Sequence, residues 1–264
     1  MRLGKLKISL VAVALAFLSA VAYGESKIVN FDVTEENVET VTLTGLLEKP
    51  EGKGPFPAIV LLHGCKGIDY WVMVWANRLH DWGYVTLQID SFGPRGKPNG
   101  VCEGTFTIQP TTRALDAHAA KAYLAQLPFV DSDRTAVMGM SHGGWTVLAA
   151  IENTYLTKQP RTNPFRAAVA FYPLCESVLY RLDAPLLILI GERDDWTYAF
   201  RCEKMELVGE SMFSITLKVY PGATHVFDLD RPERTYLSHE MRYDAEAAED
   251  AIETTKQFLV KHLR

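Results

Sequence analysis

Apolar residues in this chain gather in short runs, and between the runs they recur every three to four positions. The runs are rich in β-branched residues, which is typical of buried strands in a parallel sheet. They cover residues 57–64, 84–93, 134–140, 165–173, 185–191 and 214–222. Residues 40–50 instead alternate between apolar and polar side chains, which predicts a strand with one exposed face.

Segments with helical spacing lie between several of these strands. Gly83 and Pro128 end the first two of them, as helix-stopping residues do. The alternation of strands and helices predicts an α/β fold, with a mostly parallel sheet covered by helices on both faces. The predicted helices cover residues 71–83, 111–127, 144–153 and 242–263.

The early strands around residues 28–48 have no helix between them, and they are therefore expected to form an antiparallel edge of the sheet. In open sheets of this kind, ligands bind outside the carboxyl ends of the parallel strands. Functional side chains are therefore expected at those ends.

The first 24 residues have the order of a secretory signal peptide. Basic residues come first, an apolar run follows from Ile8 to about Ala22, and small residues close the segment. A membrane anchor is the alternative, although the apolar run is short for a span. We expect cleavage and a periplasmic or secreted protein, with no membrane span in the mature chain.

The composition, with 48% hydrophobic and 22% charged residues, is that of an ordinary globular protein. No repeat or linker-like tract interrupts the chain, so residues 25–264 are expected to form a single domain. Loss of the three basic residues of the leader would change the net charge from −5 to −8. Such an acidic chain argues against nucleic acid or an anionic membrane as the partner.

Four cysteines, Cys65, Cys102, Cys175 and Cys202, follow the leader. In an oxidising compartment they suggest two disulfides, for which three pairings exist. A zinc site is the competing interpretation. It is disfavoured because no two cysteines have C-x₂₋₄-C spacing and no H-E-x-x-H motif is present.

The segment VMGMSHGGW contains the pattern G-x-S-x-G, in which Ser141 lies between Gly139 and Gly143. The pattern alone is weak, and an inert glycine turn would also produce it. A strand before the serine and a helix after it are the context that a nucleophile elbow requires. Residues 134–140 and 144–153 supply that context, so Ser141 is the predicted nucleophile.

A serine hydroxyl needs a base to activate it, and the base needs an acid to orient it. In hydrolases built on such an elbow, the acid and then the histidine follow the serine in the chain. His225 follows a predicted strand, whereas His239 and His262 lie in the charged C-terminal segment. His225 is therefore the predicted base.

The acid is expected after the strand 185–191, where Glu192, Asp194 and Asp195 are the candidates and the two aspartates are adjacent. Both cannot point at one histidine, and Asp194 is preferred. His142, next to Ser141, is the rival base, but it cannot easily turn its ring onto a serine of the same tight turn.

Backbone N–H groups are expected to stabilise the oxyanion. The N–H of His142, directly after the nucleophile, is the first candidate. The N–H of Cys65, in the loop after the strand 57–64, is the second. His63 either holds this loop by hydrogen bonds or is an ordinary core histidine.

These motifs together resemble the dienelactone hydrolase family of α/β-hydrolases. The matching segments are LHGCKG, DSFGPRG, VDSDRTAVMGMSHGG, AFYPLC, LLILIGERDDW and YPGATHVFD, spread over about residues 40–260. The resemblance implies an α/β-hydrolase fold with an eight-stranded type of sheet and the roles assigned above to Asp194 and His225. It also implies a small ester or lactone substrate and no cofactor or metal.

The chain departs from the family's best-known enzymes at two places. Those enzymes carry cysteine in the elbow where this chain has Ser141. The chain is therefore expected to be a general carboxylesterase, and dienelactone itself is not the expected substrate. After the acid, where relatives often have proline, the chain has Thr197 and Tyr198.

Two further expectations follow from the resemblance. Arg95, in the loop after the strand 84–93, could bind a substrate carboxylate, or it could form a structural ion pair. In this fold the strands before Cys65 and Cys102 are neighbours, as are those before Cys175 and Cys202. The implied disulfides are therefore Cys65–Cys102 and Cys175–Cys202.

Other functions fit the same motifs. A serine peptidase or an acyltransferase could share the fold and the triad, and a binding protein could retain the elbow without catalysis. The sequence does not define the oligomeric state.

Overall fold

The computed structural model describes residues 25–34, 40–103, 107–152, 163–208 and 212–264. The predicted leader, residues 1–24, lies outside the described residues. The regular elements follow one another along the chain as β1 (Glu25–Val33), β2 (Val41–Lys49), β3 (Phe56–Leu62), α1 (Tyr70–Asp81), β4 (Val85–Asp90), α2 (Pro110–Leu124), β5 (Val130–Met140), α3 (His142–Ile151), β6 (Ala167–Phe171), β7 (Val178–Leu179), β8 (Leu186–Gly191), α4 (Ala199–Glu203), β9 (Glu206–Leu207), β10 (Ile215–Tyr220), β11 (Arg234–Tyr236), β12 (His239–Met241) and α5 (Ala245–Leu263).

The central sheet has eight strands in the order β1-β2-β4-β3-β5-β6-β8-β10. β1 pairs with β2, and β2 with β4, in antiparallel register, so the predicted antiparallel edge is confirmed. The remaining neighbours pair in parallel. The fold prediction, a mostly parallel sheet with helices on both faces, is therefore confirmed.

Helices cover the sheet in two groups. On one side, Trp82 at the end of α1 packs on Trp75, and Lys256 of α5 lies over the Trp82 ring, 5.6 Å from its centroid. α2 and α3 pack against each other. Within the parts of the chain that are described, no helix combines the length and the apolarity that a membrane span requires.

Element boundaries follow local backbone chemistry. α1 begins after Asp69, whose carboxylate accepts a hydrogen bond from the Trp71 N–H at 3.1 Å and so caps the helix. The helix ends just before Gly83, whose positive φ of +87° turns the chain out of the helical path. The predicted strand 84–93 stops at Asp90, because a short 3₁₀ turn follows at Gly93–Arg95.

The structure contains both expected disulfides, Cys65–Cys102 and Cys175–Cys202. The first joins the loop after β3 to the loop after β4, and the second joins the segment after β6 to α4. Each therefore ties together segments that follow the carboxyl ends of sheet strands.

Candidate active site

Ser141 lies in the sharp turn between β5 and α3 with φ of +52°, a conformation that side chains other than glycine rarely adopt. The turn is held by the Ser141 N–H, which donates to the Phe171 carbonyl oxygen at 2.9 Å. A side chain on Gly139 would collide with the Gly143 carbonyl group, and one on Gly143 would collide with the Leu62 carbonyl oxygen. The two glycines are thus required because backbone segments approach closely.

Ser141, His225 and Asp194 meet at the carboxyl ends of the strands. The Ser141 Oγ lies 3.1 Å from His225 Nε2, and His225 Nδ1 lies 2.7 Å from Asp194 Oδ2. All three residues are buried. A carboxylate accepts from Nδ1–H, which leaves the Nε2 lone pair facing the serine hydroxyl. These contacts are the ones that a serine nucleophile and its general base would require.

Asp194 is held as an acceptor from several sides. Its Oδ1 accepts from the backbone N–H groups of Trp196 and Thr197 at 2.9 and 2.8 Å. Its Oδ2 lies 2.9 Å from the Thr197 hydroxyl. Burial raises the pKa of Asp194, but the interaction with His225 and the hydrogen bonds outweigh it and leave this pKa lowered. Thr197, at the position where the sequence departs from the family pattern, therefore supports the acid.

The other candidates for base and acid have different neighbours. Asp195 accepts from the Glu240 N–H at 3.2 Å and lies 3.4 Å from His239 Nδ1. His262, on α5, packs against Phe258. The structure thus brings Asp194 to His225 and brings Asp195 to the segment that contains β12.

The His142 ring is turned onto other partners. Its Nδ1 accepts from Arg113 Nη1 at 2.8 Å, and its Nε2–H donates to the Ile108 carbonyl oxygen at 3.0 Å. Its backbone belongs to the first turn of α3, where helix N–H groups point outward toward the site. Both side-chain nitrogens are engaged, so the ring is not available as the base for Ser141.

His63 holds its loop by hydrogen bonds, one of the two roles considered for it. Its Nε2 accepts from the Ser91 N–H at 3.1 Å, and its Nδ1 lies 2.7 Å from the Gly64 carbonyl oxygen. Cys65, which follows Gly64 in the chain, lines the cleft together with Ser141.

Arg95 is not among the residues that line the two cavities found next to Ser141, which are described below, and this corrects its suggested role as a substrate-binding residue. Its guanidinium forms a bidentate pair with Asp116 of α2, at 2.7 and 3.0 Å, and donates to the Ser91 carbonyl oxygen at 2.7 Å. Asp116 is fully buried, so its carboxylate needs this cation. The structural ion pair, the alternative considered for Arg95, is what the structure contains.

Two cavities flank Ser141, with volumes of about 400 and 520 Å³ including the space open to solvent. Cys65, Ser141 and Trp196 line both of them. The larger is bordered by Trp145 and Leu174 and is mainly apolar. The smaller also contains charged side chains, namely Lys66, Asp69, Arg231 and Arg234.

Sequence reasoning missed the residues that surround Ser141, His225 and Asp194. The Trp196 ring packs at a tilt against His225, with ring centroids 5.2 Å apart, and stacks on His239 at 4.5 Å. Buried Asp228 accepts from Trp71, Trp75 and Tyr172 at 2.7 to 2.8 Å. The acid three residues after His225, in an otherwise apolar segment, was a usable signal.

Arg113 was also missed. It is fully buried on α2 and contacts both His63 and His142. It shares a helical stripe with Ala117, Ala120 and Leu124, and a charge on an apolar stripe is the signal that could have identified it.

Among the residues that are described, no group of three or more histidine, cysteine or acidic side chains could hold a metal ion.

Comparison with known proteins gives a consistent set of relatives. A model of the dienelactone hydrolase family matches residues 43–263. A probable 2-oxo-3-(5-oxofuran-2-ylidene)propanoate lactonase from Bradyrhizobium is 27% identical over 202 residues, which cover 69% of this chain and 77% of the lactonase.

Two further relatives bear on fold and function. Dipeptidyl peptidase 8 from Mus musculus is 30% identical over 162 residues, which are 55% of this chain but only 17% of the peptidase. A crystal structure of dienelactone hydrolase from Anabaena variabilis superimposes with a TM-score of 0.64 at 19% identity, covering 92% of this chain and all of that one. The sheet and its helices therefore have the α/β-hydrolase arrangement.

Proposed function

The chain belongs to the dienelactone hydrolase family, and from this premise we propose that it is a serine hydrolase that cleaves small carboxylic esters or lactones through an acyl-enzyme. The observation that carries the proposal is the continuous contact from the Ser141 Oγ through the His225 ring to the Asp194 carboxylate, at 3.1 and 2.7 Å. A buried, oriented base beside a serine in a strained turn is what nucleophilic catalysis requires.

In the first half of the reaction, the Ser141 Oγ attacks the carbonyl carbon while its proton passes to His225 Nε2. The carbonyl oxygen becomes an oxyanion, which the backbone N–H groups of Cys65 and His142 stabilise. Asp194 stabilises the imidazolium that forms. When the tetrahedral intermediate collapses, the bond to the alcohol oxygen breaks and His225 returns the proton to that oxygen.

In the second half, water replaces the alcohol. His225 takes a proton from the water as its oxygen attacks the acyl carbon, and a second oxyanion forms at the same two N–H groups. The bond from Ser141 Oγ to carbon then breaks, and His225 returns the proton to Ser141. The product is a carboxylic acid, and no cofactor enters either half of the cycle.

The most direct test is covalent labelling with a fluorophosphonate, which reacts with an activated serine. We expect the intact protein to be labelled at Ser141, identified by peptide mass spectrometry. A panel of esters, lactones and peptide amides, each with and without an added alcohol acceptor, should then show hydrolysis of esters or lactones above the others. No labelling would contradict the proposal and favour a binding protein, while preferred amide cleavage or acyl transfer would favour a peptidase or an acyltransferase.

The cleft suggests which esters fit best. Lys66, Arg231 and Arg234 border the smaller cavity beside Ser141, against the single carboxylate of Asp69. Three cations facing one acid give this side of the cleft a net positive charge. The Bradyrhizobium relative is described as acting on a lactone that carries a propanoate. We infer that a substrate carboxylate lies on this side and that Arg95 does not contact it.

Replacement of Lys66 by methionine should therefore discriminate between substrates. We expect kcat/KM for p-nitrophenyl hemisuccinate, an anionic ester, to fall about tenfold, since a charge-assisted contact contributes roughly 1.5 kcal/mol. kcat/KM for neutral p-nitrophenyl butyrate should change less than about twofold. Lys204→Met is a matched control, because Lys204 lies over the Phe200 ring as Lys66 lies over the Tyr236 ring, but Lys204 lines neither cavity. Equal losses on both esters would refute the charge preference.

We further propose that the protein acts as one domain outside the cytoplasm. The two disulfides and the leader-like sequence of residues 1–24 support an oxidising location. Amino-terminal sequencing of the exported protein tests this proposal, and an uncleaved Met1 would contradict the expected processing.

A further inference from the structure

We propose that Arg113 is a positioning residue that holds in place both backbone segments of the oxyanion hole. The proposal rests on the proposed serine-hydrolase function. Arg113 lies on α2 and touches no reacting atom, but its guanidinium joins the loop that carries Cys65 to the start of α3, which carries His142.

The two ends of the guanidinium reach the two segments separately. Nη2 donates to the His63 carbonyl oxygen at 2.8 Å, and Nη1 donates to the His142 Nδ1 at 2.8 Å. An arginine can only donate, so Nδ1 of His142 is the acceptor and its Nε2 carries the proton that goes to the Ile108 carbonyl oxygen. The contact thereby fixes both the tautomer and the direction of the His142 ring.

On the other side, the contacts lead directly to the predicted donor. The Ser91 N–H donates to His63 Nε2, so the ring proton is on Nδ1 and is donated to the Gly64 carbonyl oxygen at 2.7 Å. That carbonyl belongs to the same peptide group as the N–H of Cys65. A hydrogen bond to the carbonyl fixes the plane of the peptide and polarises its N–H. Arg113 in turn fixes the preceding carbonyl, that of His63.

The charge in this cluster belongs to Arg113. Burial, followed by the charge of Arg113, lowers the pKa of His63 well below its usual value and that of His142 to about 3, so both rings are neutral. Burial lowers the pKa of Arg113 to about 9, and the guanidinium therefore keeps its proton at neutral pH. A fixed positive charge thus lies behind the place where the oxyanion forms.

Stability alone gives no reason for this arrangement. Among the described residues, no carboxylate forms an ion pair with Arg113 within 4 Å, although Asp116 and Asp90 favour its charge from further away. Its direct neighbours are the His63 carbonyl oxygen, the imidazoles of His63 and His142, and the Phe92 ring. A fully buried charge without a direct ion-pair partner is costly, and an apolar side chain of similar size often serves a core at least as well. What the guanidinium supplies is directional contact with both segments.

The test is the variant Arg113→Met in the full-length protein. We expect kcat for p-nitrophenyl acetate to fall about 10- to 100-fold, because displaced oxyanion donors weaken transition-state binding. KM should stay within about twofold, since the ground-state ester makes little use of these donors. The affinity for a trifluoromethyl ketone, which forms a tetrahedral adduct with the serine, should fall in parallel with kcat.

Lys121→Met is the matched control. Lys121 is also a buried cation of α2, but its ammonium contacts Asn163 Oδ1 at 2.8 Å and the Pro164 carbonyl oxygen, away from the cleft. This variant should lose thermal stability while keeping kcat and the ketone affinity. Arg113→Lys, which retains the charge but not the fork that spans both segments, should lose kcat to a smaller extent and serves if the methionine variant does not fold.

Several outcomes would overturn the proposal. Folded Arg113 variants with kcat within twofold of wild type would do so, as would a kcat loss equalled by Lys121→Met or a loss confined to KM. An intact protein that neither hydrolyses esters nor reacts with a fluorophosphonate would refute the proposed function itself, and the two failures are thus distinguishable.

Discussion

Replacement of Ser141 by alanine is expected to lower kcat for p-nitrophenyl acetate by about four orders of magnitude or more. Without the Oγ, no covalent intermediate can form, and only a direct attack by water remains. The backbone hydrogen bond from residue 141 to the Phe171 carbonyl oxygen does not involve the side chain and should survive. The rate is measured in fixed-time assays at high enzyme concentration, and circular dichroism verifies that the variant is folded.

Ser177→Ala is the control for this experiment, because Ser177 is exposed in the segment between β6 and β8. It should retain wild-type kcat. If Ser141→Ala keeps more than about a hundredth of the wild-type rate, another residue is the nucleophile, and the assignment of the elbow is wrong.

Asp194→Asn is expected to reduce kcat by about 10⁴-fold, whereas Asp195→Asn should stay within about threefold of wild type. An asparagine amide can donate to Nδ1 of His225, which stabilises the tautomer with its proton on Nε2, facing the serine. Because the lowered pKa of Asp194 keeps this group ionised at the assay pH, the substitution also removes a charge that stabilises the imidazolium.

The adjacent aspartates make this pair of variants a strict comparison, since both changes remove one carboxylate from the same loop. Comparable folding of the two proteins should be checked by thermal denaturation. Loss of activity in Asp195→Asn with retention in Asp194→Asn would reverse the assignment of the acid.

Much of the fold was predictable because buried parallel strands require apolar, β-branched runs. β3, β5 and β8 lie within or around the runs that the sequence marks, and the edge formed by β1 and β2 follows from the missing helix. The β11–β12 hairpin was not predicted. Its residues are mostly polar, and its position depends on contacts such as that of His239 with Trp196, which joins residues distant in the chain.

The residues of the candidate site likewise fall into those that the sequence indicates and those that only the fold reveals. Ser141, Asp194 and His225 were proposed from chain order, because each follows a strand whose carboxyl end lies at the same edge of the sheet. Arg113 and Asp228 have no such marker. Their partners lie between 29 and 157 positions away, so only the folded chain brings them together. The ion pair of Arg95 was not predictable in the same sense, because its partner Asp116 lies on the buried face of α2 and only the fold brings the two together.

Because of the Cys65–Cys102 disulfide, the activity measured for a preparation is expected to depend on whether the chain was oxidised or reduced when it was produced. One half of this bridge is the residue whose N–H is assigned to the oxyanion, and Val101, next to the other half, donates to the Cys65 carbonyl oxygen at 2.7 Å. A chain produced in a reducing cytosol would keep the contacts among Ser141, His225 and Asp194 but would lack the covalent bond that anchors the loop carrying Cys65. Specific activities from cytosolic and exported preparations should therefore be compared only after thiol titration, since two batches with the same sequence and the same fold can differ in turnover.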